Sequence, residues 1–222
     1  MATPEATAID AKRSRSDLLT LFDVDAFHAT PLQREPFDYL IVPGFLRPDA
    51  LEALNRDYPE IQDPGNASPD NLRAGPAFHE LLAELRSDGF ADLFAAKFDV
   101  DLRGCPTTIS VRRLCEATDG NIHTDHRSKI LTILLYFNEH WPHEGGKLRL
   151  LRSAHDIEDY AAEVTPAGGT LLGFRRTDNS FHGHKPFVGE RRILQLSWTR
   201  GGDVTRYVSS LTKPVRRLLN MS

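Results

Sequence analysis

The chain lacks most of the residues that staple or anchor a protein. Only two of its 222 residues are cysteine, Cys105 and Cys115, which excludes a disulfide framework. A single bridge between them is conceivable, and two reduced, partly buried thiols are the expectation for a cytoplasmic protein. No apolar run approaches the roughly eighteen residues that a membrane helix needs. Residues 1–17 carry no apolar stretch of the secretory kind, so the expected compartment is the cytoplasm. Charge of one sign is also scarce: 27 basic against 31 acidic side chains leave a net −4, which argues against nucleic acid as the main partner. Repeats and low-complexity tracts are absent. What remains is 40% hydrophobic and 26% charged, an ordinary soluble globular composition.

Along the chain, residues 1–17 read as a disordered tail. Residues 37–42 read as a strand stopped by Pro43-Gly44. Pro48 and Asp49 suit the first turn of a helix that carries Leu51, Leu54 and Tyr58 at helical spacing. After a polar loop over 63–76, Phe78, Leu81, Leu82 and Leu85 form a second helical stripe. Ser87 can cap a third helix bearing Phe90, Leu93, Phe94 and Phe98. From Pro106 the texture changes to short β-type runs at 107–114, 129–138, 147–151, 163–165, 169–174, 180–184 and 191–199. Gly145-Gly146, Pro166, Gly168-Gly169 and Gly183 punctuate them. Many short strands so spaced indicate a sandwich or barrel. Residues 211–220 resemble a short basic helix. The expected division is a tail at 1–17, a strand with supporting helices at 18–104, a β core at 105–200 and an extension at 201–222, forming one α+β domain.

His123 and Asp125 stand two apart, and His182 lies on a later strand. At the end of a strand, residues two apart share a face. A neighbouring strand could then complete a tripod of two imidazoles and one carboxylate, which fills one face of an octahedral Fe(II) and leaves the other open. His184 has the same parity as His182 and is a rival ligand. Zinc accepts the same donors. A cupin arrangement fits less well, because the Glu that follows His182-x-His184 comes only at Glu190.

The last strand offers a carboxylate-binding group. From Arg191 to Trp198 the pattern alternates, so that Arg192, Leu194, Leu196 and Trp198 share one face. An Arg among large apolar side chains is costly unless paired, and a planar guanidinium holds a carboxylate through two parallel hydrogen bonds. Arg192 is therefore the expected clamp and Arg191 a solvated surface charge. Tyr136 shares a face with Thr132 and Leu134, and its hydroxyl needs a partner if buried.

These motifs, in this order, resemble the Fe(II)/2-oxoglutarate-dependent dioxygenases, and within them the prolyl-4-hydroxylase-like branch. The residues that carry the resemblance run from 107 to 200. They include His123-x-Asp125, the stretch 133–141 with Tyr136, Gly145-Gly146, 169–174, His182, Pro186 and the Arg192 to Trp198 segment. The resemblance implies a double-stranded β-helix (jelly-roll) core with N-terminal helices packed on its major sheet. Iron would be held by His123, Asp125 and His182, and the far carboxylate of 2-oxoglutarate by Arg192 with Tyr136. Arg113, His184, Arg175 and Trp198 are then candidates to line or support the substrate side. Arg113 stands where animal oxygen-sensing members carry a tyrosine, and Leu194 where many relatives carry a hydroxyl. Both departures weigh against a proline substrate, and Arg113 could favour an anionic one.

The implied reaction couples decarboxylation of 2-oxoglutarate to succinate with hydroxylation of a small-molecule or peptidyl substrate, prolyl side chains included. It requires O2, with ascorbate as an accessory reductant, and acts in a monomer or a homodimer. The rival readings are a cupin-like metal enzyme that does not use 2-oxoglutarate and a non-catalytic 2-oxoglutarate-binding module.

Overall fold

A computed structural model describes residues 19–201. The expected tail at 1–17 and basic helix at 211–220 lie outside the described residues. No described helix is long and apolar enough to cross a membrane.

Four helices precede most of the strands. Helix α1, Val24–Ala29, begins where the Asp23 side chain accepts a hydrogen bond from the Ala26 amide. It is too short to show a periodic stripe, and the sequence did not announce it. Helix α2, Pro48–Arg56, starts on its proline. Helix α3, Pro76–Leu85, buries Phe78, Leu81, Leu82 and Leu85. Helix α4, Asp88–Phe98, is capped by Ser87, whose hydroxyl accepts from the Phe90 amide, and it buries Phe90, Leu93, Phe94 and Phe98. Both apolar stripes do what amphipathic spacing dictates.

Eight strands follow: β1 Tyr39–Val42, β2 Thr107–Cys115, β3 Lys129–Tyr136, β4 Leu148–Leu151, β5 Tyr160–Val164, β6 Leu171–Arg175, β7 His182–His184 and β8 Gly189–Thr199. They form a five-stranded sheet in the order β1-β6-β3-β8-β2 and a three-stranded sheet in the order β5-β4-β7. All pairings are antiparallel. This is the α+β double-stranded β-helix expected from the sequence.

The larger sheet is buried on both faces, and this decides where the site lies. One face, with Leu131, Ile133, Leu135, Leu194, Leu196 and Trp198, joins Phe22, Phe45, Phe90 and Phe94 in the main core against the helices. Trp198 packs at 6.2 Å from Phe90 and 5.6 Å from Phe94, ring centre to ring centre. The opposite face, with Leu134, Tyr136, Leu172, Phe174 and Ile193, meets Leu148, Leu150 and Val164 of the smaller sheet. The cavity opens on this inner face.

One expectation is corrected here and another holds. The face shared by Leu194, Leu196 and Trp198 packs on helices, so Trp198 is a core residue remote from the cavity. Both cysteines are free, as expected for reduced thiols.

Candidate active site

His123 and His182 come together through an isolated antiparallel bridge, with paired amide–carbonyl hydrogen bonds of 3.0 and 2.9 Å. Directly opposite residues project to the same side, and the two rings lie 4.3 Å apart. Asp125 sits just beyond the bridge. One potential ligand atom from each of His123, Asp125 and His182 lies within 4.8 Å of the others.

Both imidazoles are locked in one tautomer. His123 Nδ1 lies 2.8 Å from the Asn121 carbonyl oxygen, and His182 Nδ1 lies 3.0 Å from that of Ser180. A carbonyl only accepts, so each Nδ1–H must donate and each Nε2 keeps its lone pair. Burial pushes the His182 pKa down to about 4, which keeps that ring neutral and able to ligate at neutral pH.

Asp125 is held by two buried partners that the sequence reading missed. Lys129 Nζ donates to Oδ1 at 2.7 Å, and Thr132 Oγ1 donates to Oδ2 at 2.6 Å. Ser197 stands 3.0 Å behind Thr132. Burial would raise the carboxyl pKa, but Lys129, His182 and the two hydrogen bonds outweigh it and hold the value below the ordinary one. The Lys129 side chain is only 1% exposed. A lysine followed by Ile130 and Leu131 at the start of a strand was the available signal, because such a side chain must find an anion.

The structure turns Arg192, the expected clamp, away from the cavity and places its neighbour there instead. Arg192 faces away from the cavity: its Nε bonds Glu190 Oε1 at 2.5 Å, and its guanidinium lies over the Tyr58 ring. Arg191, expected on the surface, is 4% exposed and lines the cavity. Its Nε donates to the Gly146 carbonyl at 2.8 Å, and its guanidinium centre lies 5.4 Å from the Tyr136 ring centre. Arg191 Nη2 and Tyr136 Oη are the two buried side-chain polar atoms without a hydrogen-bond partner among the described residues. Two adjacent unmet donors, one of them cationic, fit a carboxylate of a bound ligand.

A second arginine expectation is also corrected. Arg113 shares the parity of the core residue Val111 and turns away from the cavity, reaching Glu190 at 3.2 Å. The β2–β8 register shifts at this point, with Arg191 and Arg192 both standing opposite Arg113. Arg112, opposite Ile193, faces the cavity instead and pairs with Asp119 at 2.8 Å. Of the other candidates, Arg175 pairs with Asp38 at 3.6 Å and is not among the cavity-lining residues. His184 does line it. Its Nδ1 donates to the Lys185 carbonyl at 2.8 Å, and burial brings its pKa down to about 4.

The cavity measures about 330 Å³ and is walled by His123, His182, His184, Arg191, Phe174 and Leu134, among others. That volume suits a small organic ligand together with the reacting part of a second one.

Comparison with known proteins agrees with this geometry. Residues 111–200 match the family model described as the 2OG-Fe(II) oxygenase superfamily. A prolyl-4-hydroxylase from Pseudomonas putida shares the fold with a TM-score of 0.50 and 21% identity, over 83% of this chain and 92% of its own. A Phytophthora capsici prolyl 4-hydroxylase aligns with a TM-score of 0.54 and 16% identity, over 88% and 73%. The viral collagen prolyl hydroxylase of Paramecium Bursaria Chlorella virus-1, solved with 2OG, aligns with a TM-score of 0.50 and 15% identity, over 73% and 96%. No curated protein sequence matches the chain.

Proposed function

We propose that this protein is a 2OG-Fe(II) oxygenase that hydroxylates a small-molecule or peptidyl substrate at the cavity between its two sheets. His123, Asp125 and His182 are the iron ligands, and Arg191 with Tyr136 holds the far carboxylate of 2-oxoglutarate. When bound, iron, 2-oxoglutarate and O2 supply the oxidation: 2-oxoglutarate, O2 and R–H give succinate, CO2 and R–OH.

The observation that carries this reading is the pair of buried, partnerless donors on Arg191 and Tyr136 beside a His-Asp-His cluster. A metal site alone would leave them unexplained. A dicarboxylate that reaches from metal to clamp satisfies both ends at once.

The chain's own groups position rather than transfer protons. The Nδ1–H bonds of His123 and His182 fix the direction of their Nε2 lone pairs. Lys129 and Thr132 fix the carboxylate plane of Asp125. Arg191 is itself anchored by Gly146, so that its free nitrogen is presented without reorganisation. Leu134, Phe174 and Ile193 supply an apolar wall, which limits water around the reacting centre.

The match of residues 111–200 to the 2OG-Fe(II) oxygenase model supports the reaction type. Free thiols and a net charge of −4 fit a cytoplasmic protein that does not bind nucleic acid. The test is succinate formation from 2-oxoglutarate by the Fe(II)-loaded protein, which Asp125→Ala should abolish. Wild-type succinate formation by that variant would refute the assignment.

A further inference from the structure

Resting on that reading, we propose that the substrate is a small zwitterion of the free α-amino-acid type, its carboxylate held by Arg112 and its ammonium by Asp119. The two side chains form an ion pair of 2.8 Å inside the cavity that contains His123 and His182, with side-chain exposures of 17% and 22%.

The pair is held by neighbouring groups and lines the cavity. Arg112 Nε donates to Asn66 Oδ1 at 3.1 Å, and Nη1 reaches Asp119 and, at 3.9 Å, the Cys115 sulfur. Asp119 Oδ2 also accepts from the Glu116 amide at 2.9 Å. Among the described residues this leaves Arg112 Nη2 and Asp119 Oδ1 without a protein partner. One donor and one acceptor of opposite charge are thus presented side by side to a cavity.

Charge then selects the ligand. An anion placed on Arg112 meets the Asp119 carboxylate, and a cation placed on Asp119 meets the guanidinium. A ligand that carries both charges on neighbouring atoms satisfies both and leaves the net charge of the wall unchanged. The guanidinium fork suits a carboxylate, and the free Oδ1 suits an ammonium.

Position is consistent with chemistry at the metal. Arg112 lies opposite Ile193, two residues along β8 from Arg191, so the two guanidinia serve one cavity from the same sheet face. Asp119 opens the segment Gly120-Asn121-Ile122 that leads to His123. Gly120 has φ +92°, and a Cβ there would lie 2.4 Å from the His184 carbonyl oxygen, so this segment is pressed closely against β7.

The experiment uses the full chain loaded anaerobically with Fe(II) and 2-oxoglutarate, which gives a weak visible charge-transfer band. Free L-amino acids are added one at a time, each beside its N-acetyl and methyl-ester forms. The expected result is that at least one free amino acid shifts the band and raises succinate formation in air at least tenfold. Its N-acetyl and ester forms should each bind at least tenfold more weakly. Asp119→Asn should erase the preference for the free amine over the N-acetyl form.

A band that no free amino acid perturbs would overturn the proposal while leaving the dioxygenase reading intact. So would blocked forms that act as well as free ones. An Asp119→Asn variant that weakens free and acetylated forms equally, with a lower melting temperature, would make the ion pair structural and also overturn it. Absence of any band with 2-oxoglutarate would overturn the underlying function and this inference with it.

Discussion

Lys129→Met removes the ammonium that faces Asp125 without changing the bulk of the buried stem. The Lys129 and Asp125 side chains are 1% and 9% exposed, and their contact is 2.7 Å. Breaking one side of a buried pair costs about 3–5 kcal/mol, because the other charge is left uncompensated. Asp125 keeps its hydrogen bond from Thr132, so the lower end, about 3 kcal/mol, is expected. For a chain of this length that corresponds to a fall of about 6–12 °C in the melting temperature of the metal-free protein. A bound divalent ion supplies the missing positive charge, so with Mn(II) present the difference should shrink to about 1 kcal/mol, the size of one lost hydrogen bond. By linkage, a gap of about 2 kcal/mol between the two conditions means that the variant binds Mn(II) roughly thirtyfold more tightly than the wild type. Thermal melts with chelator or with Mn(II), together with calorimetric titration, read both quantities. An equal loss with and without metal, or weaker Mn(II) binding by the variant, would refute the reasoning that a metal ion can replace the positive charge Lys129 supplies to Asp125.

The pH dependence of the metal-free protein follows from its two buried histidines. His182 and His184 have pKa values lowered to about 4 from the usual 6.5. The unfolded chain therefore binds more protons between those values, and stability rises with pH across that window and levels off above it. Each should lose about 1.3 kcal/mol between pH 7.5 and 5.5, so the urea midpoint in chelator should fall by an amount equivalent to about 2–3 kcal/mol; a midpoint that holds or rises would contradict this. Gly120→Ala places a side chain at a left-handed φ and against the His184 backbone, so it should cost about 2 kcal/mol or more. Urea denaturation checks this, and a change within about 0.5 kcal/mol, the usual size for a neutral surface substitution, would show that the segment yields freely.

Much of the fold was legible because its elements carry strong local patterns. The stripes at Phe78–Leu85 and Phe90–Phe98 and the Ser87 cap follow from spacing alone. The run of short strands after Pro106 is set off by its glycines and prolines. The clustering of His123, Asp125 and His182 was legible because two imidazoles and a carboxylate at such spacing are uncommon, although the bridge that joins the two histidines is a single pairing rather than a strand. The choice between Arg191 and Arg192 missed the cavity face for a physical reason. Alternation along β8 separates two faces but does not say which is the cavity, and here both are buried. The face with Leu194, Leu196 and Trp198 is the more apolar, and it belongs to the helices. Arg112 shares the cavity face with Ser110 by plain alternation along β2, and the family spacing that singled out Arg113 did not say which face that is. Lys129 went unread because nothing local to it says that its partner is Asp125.

The most direct test of the account is an anaerobic titration with 2-oxoglutarate of the Fe(II)-loaded wild type, Arg191→Met and Arg192→Met. The account predicts the charge-transfer band in the wild type and in Arg192→Met at similar 2-oxoglutarate concentrations. Arg191→Met should need at least a hundredfold more, in line with about 3 kcal/mol for a buried charged hydrogen bond. Equal titrations for Arg191→Met and the wild type, or a loss confined to Arg192→Met, would contradict it.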